Sequence, residues 1–240
     1  MAFKLKYTAY NERSILIEWP AIIDEKILKN ILLFKYSIEN NFIKQTIEVV
    51  NAYNSLLIIY EHTIDNINNK IKELKTLNWS LNGELNIKNK HWAIPVCYDN
   101  DFAQDIEKYS KEINCSKADI ITIHTQPKYR VFFTGFLPGF LYLGGLDPRL
   151  FLDRKSVPNL KVKKGSVAIG GKQTGIYPKS SPGGWHVIGN CPVELFNPKS
   201  HPPCQIEAGD TIQFYGIDKA EYYEILERID KSEFNLKPNA

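Results

Sequence analysis

The sequence predicts an α+β two-layer sandwich followed by an all-β barrel. Three observations point there. Of the 14 glycines, only Gly83 precedes residue 135, and eleven lie between Gly135 and Gly189. A backbone that needs glycine in one half and avoids it in the other is built differently in the two. The periodic segments of the first 87 residues read β-β-α-β-β-α, the order of a small sandwich. From Tyr129 onward, short apolar runs are broken by Gly and Pro, the pattern of barrel strands joined by functional loops.

Taken in order, residues 3–9 and 15–18 alternate like strands. Residues 22–36 put Ile23, Ile27, Ile31 and Phe34 on one helical face, with Asp24 and Glu25 at the positive end of the helix dipole. Residues 42–52 and 55–60 are β-rich, and Tyr53-Asn54 reads as the turn between them. Residues 64–77 form a second amphipathic helix with Ile64, Ile67, Ile71 and Leu74 inward. The polar stretch at residues 82–90 places a domain boundary, so the domains are 1–87 and 88–240. Residues 91–97 then read as a strand. Residues 101–114 and 116–125 read as helices, with Asp101 and Ser116 as N-caps. Residues 131–133, 166–169, 186–189 and 211–215 are the barrel strands, and residues 220–231 a terminal helix.

Composition excludes several functions. The chain has 240 residues, and 30 Lys+Arg stand against 27 Asp+Glu, a net charge of +3 that is too small to imply nucleic acid. No run of about 18 apolar residues exists, so no membrane span is expected, and the N-terminus has no signal-peptide core. Cys97, Cys115, Cys191 and Cys204 form no CxxC pair and have no His at ligand spacing. Neither a metal site nor a disulfide framework is expected, and a reducing cytoplasm is the default compartment.

Three segments carry candidate chemistry. In residues 134–146 aromatics alternate with glycines, and a strand does not easily run through it. Phe136 and Tyr142 suit a binding surface or pocket wall; the alternative is a loop whose aromatics plug the core. Residues 165–178 pair Gly170 with Gly171, which let a backbone turn N–H groups toward an anion, and add Gln173, Thr174 and Tyr177 as polar groups. The spacing is not that of a P-loop: Gly171 occupies the Lys position after Gly165 and Gly170, and Gln173 stands where Ser or Thr would follow Lys172. Residues 180–186 place Ser181 and Trp185 around a Pro-Gly-Gly turn; Trp185 either stacks on a ligand or fills the barrel. His124, near a helix end, is either a general base or a satisfied helix-terminal histidine. No nucleophile motif supports acyl-enzyme chemistry.

These segments, with Asp147-Pro148-Arg149 and His124-Thr125, resemble the KipI/PxpB family, often labelled allophanate hydrolase subunit 1. They are also similar to the C and D subdomains of the carboxyltransferase part of urea carboxylase. The motifs are long, and the resemblance spans essentially the whole chain. It implies that the barrel is cyclophilin-like. It also implies the B subunit of an ATP-dependent 5-oxoprolinase, which is inactive alone and works with subunits A and C to open 5-oxo-L-proline to L-glutamate. ATP is then a cofactor of the complex, and the chain itself carries neither biotin nor metal. His124, Gln173 and Tyr177 are the catalytic candidates. Phe136, Tyr142, Arg149, Gly170, Gly171, Thr174, Ser181 and Trp185 are the substrate, nucleotide or interface candidates.

The resemblance leaves two other functions open. Some relatives look like inhibitors of sporulation histidine kinases, in which case the Phe136–Tyr142 loop is a helix-binding surface. A carboxyltransferase or allophanate-hydrolase-related role is the third reading. The chain departs from the family pattern at Asn159, where an arginine is usual, and at Lys163-Lys164, where Pro-Ala is usual. An anion contact from that arginine would have to come from Lys163 or Lys164, without bidentate geometry.

Overall fold

The computed structural model describes residues 3–41, 45–77 and 89–239. The chain divides into two compact units, Met1–Lys88 and Asn89–Ala240. Most of the expected boundary at residues 82–90, and the start of the expected third strand at residues 42–44, lie outside the described residues.

The first unit runs β1 (Lys6–Asn11), β2 (Ser14–Glu18), α1 (Glu25–Asn41), β3 (Thr46–Asn51), β4 (Ser55–Tyr60) and α2 (Ile67–Thr76). Its sheet is antiparallel throughout, in the order β1-β2-β4-β3. Two-residue alternation sends Ile15 and Ile17 of β2, and Leu56 and Ile58 of β4, to one face, where Ile27, Ile31, Phe34 and Ile38 of α1 and Leu74 of α2 cover them. Burial of each such side chain stabilises the fold by about 1.5–3 kcal/mol. Inside this core the Trp19 indole N–H donates to Asn30 Oδ1 at 2.7 Å. Asp24 Oδ1 accepts from the backbone N–H groups of Lys26 (2.6 Å) and Ile27 (3.3 Å), so α1 begins after it. Ile23 therefore precedes the helix and is 47% exposed instead of inward. Ile64 and Ile71 pack half-buried against the core.

The second unit runs β5 (His91–Cys97), α3 (Ile106–Ile113), α4 (Lys117–Thr125), β6 (Tyr129–Thr134) and β7 (Leu141–Gly144). A 3-10 turn at Pro148–Leu150 leads to β8 (Asn159–Val162), β9 (Ser166–Gly170), β10 (Gln173–Ile176), β11 (Ser181–Gly183), β12 (His186–Asn190) and β13 (Thr211–Ile217). The chain ends with α5 (Lys219–Asp230) and β14 (Pro238–Asn239). The main sheet follows β10-β9-β12-β5-β13-β6-β7, with β14 added to β5. Its two end strands, β10 and β7, come together and nearly close a barrel. β8 and β11 form a separate two-stranded ribbon.

The barrel is not all-β. Ile106 and Tyr109 of α3 and Ile120 and Ile123 of α4 belong to its core. The sheet is mixed, because β13 runs parallel to β5 over seven residue pairs. A parallel pair needs a long connection, and here everything from α3 to β12 lies between the two strands.

Two further expectations are corrected. Residues 134–146 are not loop throughout: β7 occupies Leu141–Gly144 and pairs antiparallel with β6, with an irregularity between Val131 and Phe133, while no strand runs through residues 135–140. Gly144 helps that pairing, since a Cβ there would stand 2.3 Å from the Phe132 ring. Asp101 is not a helix N-cap. α3 begins five residues later, and the Asp101 carboxylate pairs with Lys219. Ser116 does cap α4, its Oγ accepting from Asp119 N–H at 3.1 Å.

Candidate binding site on the barrel

Glycine placement lets three distant segments meet. β9 and β10 form a hairpin in which Gly170 pairs with Gln173, leaving Gly171 and Lys172 as a two-residue turn. Gly171 has φ +65°, which suits glycine at the first position of such a turn. A Cβ on Gly170 would stand 2.4 Å from the Trp185 ring, and one on Gly183 would stand 2.3 Å from the Tyr177 hydroxyl. These glycines are places where aromatic rings lie directly on backbone.

The result is a buried cluster separate from the main barrel core. Phe140, Val162, Ala168, Tyr177, Trp185 and Val187 form it, with Leu137 and Tyr142 packed alongside. Phe140 is the hub. It makes edge contacts with Tyr177 (5.5 Å between centroids, 85°), with Trp185 (5.5 Å, 76°) and with Phe136 (5.6 Å, 89°), and a tilted contact with Tyr142 (5.1 Å). Edge geometry of this kind adds about 0.5–1.5 kcal/mol per pair beyond area burial. The guanidinium of Arg154 sits 5.7 Å from the Trp185 ring centroid, a cation–π contact.

The polar candidates are placed as follows. Tyr177 is buried, with its hydroxyl lying against the Gly183 backbone. Burial raises its pKa, so it remains a neutral phenol. Gln173 is half-buried at the start of β10, next to the turn. The Gly171 N–H donates to the Leu152 carbonyl at 2.7 Å, and its own carbonyl accepts from Leu152 N–H at 3.3 Å. Ser181 opens β11 opposite Val162, its hydroxyl donating to Pro182 O at 3.2 Å.

His124 and Thr174 lie inside the barrel, both fully buried. The Thr174 hydroxyl donates to Ala168 O at 3.2 Å, so it must accept from His124 Nε2–H at 2.9 Å. That fixes the tautomer. Nδ1 accepts from the Tyr98 hydroxyl at 2.7 Å. The ring stacks on Phe214 at 4.5 Å and 16°. Burial lowers the His124 pKa to about 3, so the ring is neutral. Both nitrogens are occupied, and the histidine ties α4 to β10. Tyr98 completes this network and was not legible in the sequence, because it directly follows β5 with no motif around it.

Arg149 stands in the 3-10 turn, bidentate to Asp147: Nε to Oδ1 at 2.9 Å and Nη2 to Oδ2 at 2.8 Å. Those bonds lower the Asp147 pKa to about 2. Its other titratable neighbours are the Cys115 thiol and Asp119, neither of which belongs to the aromatic cluster. Lys164 pairs with Glu194 at 2.7 Å, and Asn159 pairs with Gly183 across the ribbon. Phe140, Gly183 and Arg154 were not singled out by sequence reasoning; Gly183 lay in plain view within the Pro-Gly-Gly run.

Among the described residues, no group of three or more His, Cys, Asp or Glu side chains is arranged to hold a metal ion. No described helix is long and apolar enough to cross a membrane.

A nearly closed mixed-sheet barrel with helices and an aromatic–glycine cluster, preceded by a small sheet-and-helix unit, defines the class of protein. The chain belongs to the family of the carboxyltransferase domain, subdomain C and D, which its residues 5–206 match. It is 32% identical over 233 residues to the 5-oxoprolinase B subunit of Bacillus subtilis, covering 93% of this chain and 97% of that one. It is 38% identical over 168 residues to the 5-oxoprolinase B subunit of Haemophilus influenzae, covering 70% of this chain and 78% of that one. The crystal structure of Kluyveromyces lactis urea carboxylase shares the fold, with a TM-score of 0.78 at 19% identity. The match takes in 99% of this chain, which spans about a quarter (24%) of that enzyme.

Proposed function

We propose that the chain is the B subunit of an ATP-dependent 5-oxoprolinase, part of a hydrolase complex that converts 5-oxo-L-proline to L-glutamate. The observation that carries this reading is the nearly full-length similarity to one protein of that name, with 70% of the chain matching another. The convergence of all three motif segments on one cluster supports it further. On this reading the chain is inactive alone and works with subunits A and C in the cytoplasm. ATP belongs to the complex. Residues 1–87 form an α+β two-layer sandwich domain, and residues 88–240 form a cyclophilin-like barrel domain.

The chemistry explains why a rigid barrel helps. The lactam is an unactivated amide, and phosphorylating its oxygen makes it an electrophile that water can open. Negative charge builds on the phosphoryl and ADP oxygens as ADP leaves, so preorganised donors lower that barrier; water addition and C–N cleavage then give an acyl phosphate, which a second water hydrolyses to L-glutamate and phosphate. Gln173, half-buried beside the β9–β10 turn, is the amide donor assigned to that role on this reading. Tyr177, packed against Phe140 in the aromatic cluster, shapes the wall behind it. The buried rings exclude water from that wall.

The test is 5-oxoproline-dependent ATP hydrolysis by this chain with and without subunits A and C. Activity is expected only in the full mixture. Gln173→Ala in the reconstituted complex is expected to lower kcat by about 10²-fold, the scale of losing one donor to a developing oxyanion. Tyr177→Phe is expected to have a smaller effect. Full activity for both variants would remove this face from the mechanism, and no activity in the full mixture would end the reading.

A further inference from the structure

The first unit holds a cavity that the enzymatic reading does not use. Its volume is about 380 Å³, within the range of small-molecule sites. β4 ends at Tyr60 and α2 begins at Ile67, and residues from the strand end and the first turns of the helix line the space. Asn66 and Asn69 stand at the helix start, where Asn69 N–H donates to Asn66 Oδ1 at 3.0 Å and caps the helix.

One lining group is unsatisfied. Tyr60 is 3% exposed, and its buried hydroxyl has no hydrogen-bond partner among the described residues. A buried hydroxyl left unpaired is costly, so it calls for a partner from outside the chain. Burial and the nearby Glu73 carboxylate raise the Tyr60 pKa, so the phenol keeps its proton and offers a donor. Lys70 Nζ lies 5.3 Å from the Tyr60 ring centroid, 2.9 Å from Gln45 Oε1 and 2.7 Å from Glu73 Oε2. A hydroxyl, an ammonium, a carboxylate and an amide therefore border one space.

Their charges define what fits. The Tyr60 hydroxyl, the Lys70 ammonium and the positive end of α2 favour a carboxylate. The Glu73 carboxylate favours an ammonium. Lys70 and Glu73 thus present opposite charges side by side, as an α-amino acid does. The cavity's one lysine stands against two acids, Asp65 and Glu73, so a simple anion meets net repulsion. The amides of Gln45, Asn66 and Asn69 suit a polar group that both donates and accepts. We propose that this cavity binds a neutral polar α-amino acid, its carboxylate toward Tyr60 and Lys70 and its ammonium toward Glu73. The site lies within the first unit and does not depend on the enzymatic reading.

The experiment titrates the isotope-labelled full chain with L-glutamine and follows the backbone amides of Asn66, Asn69 and Lys70 by NMR. Two fragments serve as controls: glutaramate lacks the ammonium, and γ-aminobutanamide lacks the carboxylate. L-glutamine is expected to shift those amides saturably with a Kd below about 1 mM, and each fragment to bind about tenfold more weakly or worse. Tyr60→Phe keeps the ring and removes the hydroxyl, and it should weaken L-glutamine binding about three- to tenfold. Glu73→Gln should weaken it about tenfold or more, as loss of a charged partner does. The hydroxyl is unpaired in the free chain, so Tyr60→Phe should leave the urea midpoint unchanged or raise it. Weaker binding of L-glutamine by the wild type, or shifts confined to other residues, overturns the site. A fragment that binds as tightly as L-glutamine overturns the choice of a zwitterion. Unchanged affinity in either variant overturns the assignment to this cavity. A lowered urea midpoint in Tyr60→Phe means that a resident water already satisfies the hydroxyl, which also overturns the proposal.

Discussion

His124 illustrates how much one buried side chain settles. Its Nε2–H goes to Thr174, its Nδ1 accepts from Tyr98, and its ring lies on Phe214. A free imidazole takes up a proton near pH 6.5, whereas burial delays that to about 3 here. Between those values the unfolded chain binds a proton that the folded chain refuses. The stability contributed by His124 is therefore complete above about pH 6.5 and is lost as pH falls toward 3, with a slope of up to about 1.4 kcal/mol per pH unit. In NMR titrations its ring signals should stay at neutral-imidazole positions from pH 8 to 5. A midpoint near 6.5 would mean that the ring meets solvent. The choice between general base and satisfied helix-end histidine was open in the sequence, because Tyr98 and Thr174 are far from His124 along the chain.

At the scale of elements, glycine serves as much for packing as for turning. Gly170 has Trp185 against its backbone, whereas nothing lies within 4 Å of where a Gly216 Cβ would be. Gly170→Ala should cost about 1–3 kcal/mol through overpacking and should shift the Trp fluorescence. Gly216→Ala in β13 should be neutral, or stabilising by about 0.4–1 kcal/mol, because it removes freedom only from the unfolded chain. Urea denaturation of the two variants checks both signs, and equal effects would refute the packing argument. β7 and β10 were missed as strands because their glycines resemble chain breakers locally. Their role as flat seats for Phe132, Phe140 and Trp185 exists only once the rings are in place. Helix ends were partly legible. Ser116 caps α4 by a local contact, whereas Asp101 finds its partner in Lys219, over a hundred residues away.

At the scale of the molecule, each unit carries its own core, and the four cysteines are all free. No covalent link constrains the unfolded chain, so the thermal unfolding midpoint should be unchanged by a thiol reductant. A drop of several degrees would indicate a disulfide and contradict the structure. The distribution of charge is the other large-scale feature. A net charge of only +3 conceals the concentration of seven cations in residues 153–179. The average argued only against nucleic acid, and says nothing of where the cations fall along the chain.

The sequence by itself determined the order of elements in the first unit, the contrast between the glycine-poor and glycine-rich parts of the chain, and the three motif segments. Each of these is set by periodicity or by local backbone demands, which act between near neighbours. The tertiary structure alone decided that β13 runs parallel to β5, that α3 and α4 complete the barrel core, and that Phe140 draws Tyr177 and Trp185 into one cluster. It also turned His124 inward, onto Tyr98 and Thr174. These outcomes depend on contacts between residues distant in sequence. Such contacts follow from how whole faces pack and have no signature in any short stretch of chain.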